Sequence, residues 1–182
     1  MRIITGTAKG QKIKIPKKEI RPAQSIVRHS IFSMLQGLIK DAYVLDLFAG
    51  SGSYGLEALS RGAKKAIFVD IDNRCTKTIK ENLKNMSLES RGEVIKMDAA
   101  KFVENADSTK FDLIFLSPPY SMGSQIHILK QLKNILSPKG IIIFDHAKET
   151  KLPQEVDGLK TIRQRSFGAT TISILAKKTS SK

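Results

Sequence analysis

The sequence predicts an α/β fold with a mostly parallel, seven-stranded sheet and helices on both faces. Three observations carry this. From Asp41 onward, short apolar runs alternate with segments of helical spacing, the pattern of repeated strand–helix units. The apolar run Phe111–Leu116 reads as a buried strand and exits into Ser117-Pro118-Pro119-Tyr120. The first long strand exits into a glycine-rich turn, Gly50-Ser51-Gly52-Ser53-Tyr54-Gly55, that opens a helix.

The elements follow in order. Arg2–Thr7 and Gln11–Ile15 flank Ala8-Lys9-Gly10 and read as a hairpin, the second arm alternating polar and apolar. Pro16 through Pro22 is a basic linker. Ile26, Val27, Ile31, Phe32, Met34, Leu35 and Leu38 fall at helical spacing, so residues 24–38 form an amphipathic helix, weakened at Gly37. Then come strand Tyr43–Phe48, helix Tyr54–Arg61, strand Lys65–Asp70, helix Arg74–Met86, strand Glu93–Met97 and the short helix Ala99–Asn105. Strand Phe111–Leu116 and helix Gln125–Leu136 follow, and Pro138-Lys139-Gly140 turns into strand Ile141–Asp145. Thr161–Ser166 and Thr170–Ala176 make a final antiparallel hairpin around Phe167-Gly168. Residues 1–40 are expected to be a basic extension integral to a domain spanning 41–182.

Composition narrows the partner. The chain has 182 residues, enough for one domain, and a net charge of +14, which favours a polyanion. Residues 1–40 hold nine Lys or Arg against the single acid Glu19. That segment reads as a nucleic-acid docking surface, with Arg2, Lys9, Lys12, Lys14, Arg21 and Arg28 as its contacts. Cys75 stands alone, so no internal disulfide can form. The N-terminus has no apolar signal core and no stretch approaches the roughly 20 apolar residues of a membrane span. A cytoplasmic, monomeric protein without membrane contact is expected. His29, His127 and His146 share no metal-ligand spacing, so no metal site is expected.

In open α/β sheets ligands bind at the carboxyl ends of the strands, near the point where strand order reverses. Gly50, Gly52 and Gly55 satisfy the G-x-G-x-x-G spacing, which lets backbone approach a ligand closely. Asp70 ends the next strand 20 residues after Gly50, where a carboxylate can accept both ribose hydroxyls. A dinucleotide and S-adenosylmethionine fit this equally. Asp46 separates them, because a carboxylate inside the strand end suits a cationic amino-acid group and opposes a pyrophosphate. No substrate domain follows, as most dehydrogenases need. The cofactor site is therefore assigned to Asp46, Phe48, Ala49, Gly50, Gly52, Asp70, Ile71, Asp98 and Ala99, with Asp98 accepting from the adenine amino group or capping the helix that follows.

Ser117, Pro118, Pro119 and Tyr120 are the candidate catalytic platform. Proline fixes φ and lacks an N–H, so the Pro118 carbonyl and the Ser117 side chain are held as acceptors for an exocyclic amine. Tyr120 offers a face to a base that has left its stack.

The chain from Arg2 to about Lys177 resembles the bacterial small-subunit rRNA guanine-N2 methyltransferase family of the RsmD type. The likeness rests on Arg2-Ile3-Ile4-x-Gly6 with Lys9-Gly10-x-Lys12, on Arg21-Pro22 and Val27-Arg28 ahead of Phe32 and Leu35, and above all on Asp46-Leu47-Phe48-Ala49-Gly50-Ser51-Gly52 running into Gly55-Leu56-Glu57-Ala58-Leu59-Ser60-Arg61-Gly62-Ala63. The resemblance implies a Rossmann-like class I methyltransferase fold, S-adenosyl-L-methionine as cofactor, and methylation of a guanine amine in small-subunit rRNA or an assembling small ribosomal subunit. The family's platform usually opens with Asp, its Thr-Thr-Asp is here Ala23-Gln24-Ser25, and its acidic cluster after the fifth strand is reduced to Asp145 and Glu149. Two alternatives stay open: an adenine-N6 or other amine methyltransferase on DNA or RNA, and a catalytically weak RNA-binding relative.

Overall fold

A computed structural model describes residues 1–17, 25–106, 110–120 and 125–178. The sheet is assembled from β1 (Tyr43–Leu47), β2 (Lys65–Asp70), β3 (Gly92–Lys96), β4 (Phe111–Leu116), β5 (Leu136–Ala147), β6 (Glu155–Val156), β7 (Leu159–Phe167) and β8 (Thr170–Lys177). The helices are α1 (Ser25–Met34), α2 (Ser53–Ser60), α3 (Asn73–Asn85), α4 (Ala99–Glu104) and α5 (Gln125–Ile135). Strand order is β3-β2-β1-β4-β5-β8-β7-β6. β3 through β5 are parallel, and β8, β7 and β6 add antiparallel pairings. The order reverses between β1 and β4, which places the open crevice at the ends of those two strands.

Alternation along the strands loads both faces. Val44, Phe68, Leu113, Phe115, Ile141, Ile143, Ile172 and Ile174 join a core with residues of α1, α2 and α3. Leu45, Leu47, Ile114, Leu116, Ile142 and Phe144 join a second core with α4 and α5. Period-2 alternation within runs that are apolar throughout is what strands covered on both faces require.

The class I sheet is present with one strand more than the seven expected. β6 is only two residues long and pairs with the start of β7, too short to leave an alternation in sequence. Pro138–Gly140 does not end a turn before β5. It lies inside that strand as an irregularity, with Phe111 opposite Leu136 and Leu113 opposite Ile141. α1 stops at Met34, four residues before the predicted end, and Gly37 follows at φ 88°, the left-handed conformation that glycine supplies past a helix end.

The N-terminal hairpin is reduced to a single antiparallel bridge, Arg2 to Lys12. The Ile3, Gly10 and Ile13 N–H groups bond across the arms to the Gln11, Ile3 and Met1 carbonyls at 3.0, 2.9 and 2.9 Å, while other N–H groups of the segment are committed to α2. The Ile4 and Thr5 N–H groups donate to Glu57 of α2 at 2.8 and 3.1 Å, and those of Thr7 and Ala8 donate to Ser60 at 2.8 and 3.0 Å. A Cβ on Gly6 would lie 1.8 Å from the Ser60 carbonyl oxygen, so only glycine permits this approach. Ile3, Ala8 and Ile13 join the first core. Among the described residues, no helix is long and apolar enough to cross a membrane.

Candidate functional site

The loop after β1 turns on two positive-φ residues, Phe48 at 58° and Gly50 at 57°, and Gly52 follows at 75°. Strain of this kind persists where surrounding bonds over-determine it, and here they do. The Gly50 N–H donates to Asp70 Oδ2 at 2.8 Å, the Ala49 N–H to the Val69 carbonyl at 3.1 Å, and the Gly52 N–H to the Ala49 carbonyl at 2.7 Å. A Cβ on Gly55 would meet the Phe68 ring at 2.3 Å. Glycine there brings α2 onto the sheet, and the Gly55 N–H donates to Asp46 Oδ2 at 2.9 Å.

Asp46 is 1% exposed, and its other oxygen, Oδ1, is buried without a hydrogen-bond partner. Burial pushes its carboxyl up to about 8, opposed by the Gly55 N–H and reinforced by Asp70. A buried carboxylate with an orphaned oxygen beside a glycine loop is suited to a ligand ammonium. Asp70 accepts from the Gly50 and Asp72 N–H groups, so it shapes the loop. Ile71, 64% exposed, follows it and offers apolar surface to a ring. Asp98 caps α4 by accepting from the Lys101 N–H at 3.1 Å, and Ala99 is buried behind it. The donor set fits S-adenosylmethionine: glycines and a left-handed turn for close approach, one carboxylate for an amine, and one for ribose hydroxyls.

The platform lies next door. The Ser117 N–H reaches the Leu47 carbonyl at 3.4 Å, fastening the start of the platform to the residue before the cofactor loop. The Ser117 hydroxyl is buried without a hydrogen-bond partner among the described residues. Pro118 is buried and Pro119 exposed, and the Pro119 carbonyl accepts from Gln125 Nε2 at 3.1 Å.

Two side chains that sequence reading left without a role complete the site. The Tyr120 hydroxyl donates to Asp145 Oδ1 at 3.0 Å, and the Tyr54 hydroxyl donates to Asp145 Oδ2 at 3.2 Å. Tyr54 stacks on Phe115 with ring centroids 5.1 Å apart. Burial, then Asp145, holds the Tyr54 phenol well above its usual range. Tyr54 stood in view as the one aromatic inside the glycine turn. Asn82 is also new: buried on α3, it accepts from the Lys14 N–H at 2.8 Å and donates to the Lys14 and Ser51 carbonyls at 3.0 and 3.1 Å. It ties the N-terminal segment to the cofactor loop.

The basic residues divide. Arg2, Lys9 and Lys12 are exposed. Lys14 is exposed but pairs with Glu81 at 3.0 Å. Arg21 lies outside the described residues. Arg28 is a correction: it is 1% exposed, donates from Nη2 to the Arg2 carbonyl at 2.7 Å and sits 3.9 Å from Glu57. It lies inward on α1 with Val27, Ile31 and Phe32, so it holds the N-terminal segment to α2 and is closed to a phosphate.

Comparison with known proteins places the chain in a family. Residues 1–176 match the family described as Conserved hypothetical protein 95. The YlbH protein of Bacillus subtilis is 37% identical over 98% of this chain and 100% of its own. Ribosomal RNA small subunit methyltransferase D of Haemophilus influenzae is 34% identical over 84% of this chain and 81% of its own. The solved yhhF chain of Escherichia coli superposes with a TM-score of 0.88 at 28% identity, covering 99% of each chain. The chain therefore belongs to the Conserved hypothetical protein 95 family and is similar to the small-subunit rRNA methyltransferase D proteins over most of its length.

Proposed function

We propose that this protein transfers a methyl group from S-adenosylmethionine to the exocyclic N2 amine of a guanine in small-subunit rRNA. One observation carries the reading: a glycine loop with the orphaned Asp46 Oδ1 and an amine platform with the orphaned Ser117 Oγ leave adjacent strands, joined at Leu47 and Ser117. The names of the H. influenzae and E. coli relatives support rRNA as the substrate class.

When bound, the cofactor supplies a methyl group on a positively charged sulfur. The residues do the rest by position. Asp46 meets the ligand's ammonium and Asp70 its ribose hydroxyls, while the loop glycines admit it closely. A guanine amine is a weak nucleophile because its lone pair is delocalised into the ring. Accepting its two N–H bonds at Ser117 Oγ and the Pro118 carbonyl would draw the nitrogen toward tetrahedral geometry and free its lone pair, and the methylated nitrogen would then release one proton to solvent. Tyr120 stacks on the extruded base. Tyr120→Ala is expected to lose about 1–3 kcal/mol of base stacking, read as lower turnover with cofactor affinity unchanged. Unaltered turnover would remove Tyr120 from the platform.

RNA docking falls to the exposed cations Arg2, Lys9 and Lys12, with RNA read at loops or bulges. Each phosphate contact releases counterions, so replacing Lys9 and Lys12 by glutamine should reduce the salt slope of RNA binding by about 1–2. Cofactor affinity should not change. An unaltered slope would move the docking surface elsewhere, with Arg163 and Arg165 on β7 as the next exposed cations. The reading as a whole is tested by transfer of labelled methyl groups to stripped small subunits and to duplex DNA. Incorporation into rRNA alone is expected. Labelling of duplex DNA alone, or cofactor binding with no transfer, would favour the two alternatives.

A further inference from the structure

The platform Ser117-Pro118-Pro119-Tyr120 contains no group that is ionised at neutral pH, yet an amine nitrogen gains positive charge as it takes up a methyl group. A fixed negative charge close to that nitrogen stabilises the transition state more than the ground state. Resting on the amine-methylation reading above, we propose that Asp145 is the positioning residue of the platform and supplies from β5 the charge that position 117 lacks.

Three observations converge on it. The first is register. β4 and β5 run parallel with Phe115 opposite Ile143 and Leu116 opposite Phe144. The next residue on each chain is Ser117 and Asp145. Register partners on parallel strands point to the same face, and neighbouring strands lie about 4.8 Å apart. Continued one residue past Leu116 and Phe144, this register brings Ser117 and Asp145 to neighbouring positions at the exit of β4, and the Ser117 hydroxyl makes no hydrogen bond to the carboxylate. The second is the pair of phenols. Tyr120 donates to Oδ1 at 3.0 Å and Tyr54 to Oδ2 at 3.2 Å. One carboxylate thus fixes the stacking residue of the platform and a residue two places after Gly52 of the cofactor loop. The third is rigidity. Tyr54 is 5% exposed and lies flat on Phe115, with an interplanar angle of 5°, and Phe115 on β4 precedes Ser117 by two residues. The cofactor loop and the amine acceptors are therefore braced against each other through Asp145 and Phe115.

This arrangement explains how a serine can stand at position 117. Serine accepts one N–H bond but brings no charge, and charge-assisted acceptors are the stronger ones. With Asp145 one residue past the last register pair of β4 and β5, acceptor and charge are divided between the exit of β4 and β5.

A double-variant cycle tests the division, with single-turnover rates measured on whichever amine substrate the wild type methylates. Asp145→Asn keeps the shape and an acceptor for one phenol but removes the charge. It should slow the chemical step about 10–100-fold, less than losing a group in direct contact with the reacting atoms, with cofactor affinity within about twofold of wild type as a check on folding. Ser117→Asp placed in the Asp145→Asn background should restore the rate to within a few-fold of wild type. Tyr120→Phe, which keeps the ring and removes only its bond to Asp145, should raise KM for the nucleic acid more than it lowers kcat. An Asp145→Asn variant as fast as wild type, or a double variant as slow as Asp145→Asn alone, would overturn the proposal. Because the comparison is a ratio on the wild type's own substrate, a substrate other than guanine would refute the guanine reading and leave this test intact.

Discussion

Replacing Asp46 with asparagine is expected to stabilise the cofactor-free protein increasingly as pH rises from about 4 to 8. The carboxyl lies about 8 in the folded state, chiefly through burial, against an ordinary value of 3.8. Between those values the folded chain holds a proton that the unfolded chain has released. The site's favourable contribution is complete below about pH 4 and is lost as pH rises through 8. A shift of this size amounts to roughly 6 kcal/mol at its upper bound. Asparagine keeps an acceptor for the Gly55 N–H and never ionises, so the difference between wild-type and variant melting curves should widen with pH across this window and level off above it. Parallel curves would mean that Asp46 is ionised and satisfied in the apo protein. The same site predicts proton release when S-adenosylmethionine binds at pH 7, because an ammonium beside Oδ1 favours the charged form. Calorimetry in buffers of different ionisation enthalpy reads that release directly.

Removing Glu57 should be the most damaging single substitution in α2. Its carboxylate is fully buried, accepts from Ile4, Thr5 and Arg61 Nε, and faces Arg28. Arg28 Nε and Nη1 have no hydrogen-bond partner, so Glu57 is what balances a buried guanidinium. Burial lowers the Arg28 pKa and Glu57 opposes that. Breaking a buried pair by deleting one partner costs about 3–5 kcal/mol. Glu57→Ala should lose that much in urea unfolding and free residues 1–17 to proteolysis. A loss below about 1 kcal/mol would show that Arg28 reaches water once its partner is gone.

Much of this could be read in the sequence, and the misses have common causes. β2 and β4 fall at the predicted bounds, Lys65–Asp70 and Phe111–Leu116, because parallel strands buried on both faces are continuous apolar runs ended by polar residues. The crevice was also legible, since Gly50, Gly52, Asp70 and Ser117 all lie at strand exits. Counting charge by segment hid Arg28. Its place on α1, beside Val27 and three and four residues before Ile31 and Phe32, already put it on the apolar stripe. Glu57 gave the same signal as the only charge among the eight residues of α2. The N-terminal hairpin is present but short, because the Ile4, Thr5 and Ala8 N–H groups bond to side chains more than fifty residues away while those of Ile3, Gly10 and Ile13 bond across its arms. Local alternation carries no trace of such partners. Asp145 was visible only as a remnant of an acidic cluster. Its link to Tyr54 and Tyr120 spans 91 and 25 residues, so local sequence carries no trace of it.

The central claim is that one crevice brings a sulfonium methyl donor to a guanine amine in small-subunit rRNA. It is tested most directly by digesting small-subunit rRNA to nucleosides after reaction with the purified protein and labelled S-adenosylmethionine, and separating the products by mass spectrometry. The account predicts label in N2-methylguanosine at a single position, absent with heat-denatured protein and reduced in Tyr120→Ala. Label in N6-methyladenosine, or in a ring-nitrogen or ribose methyl group, would contradict it.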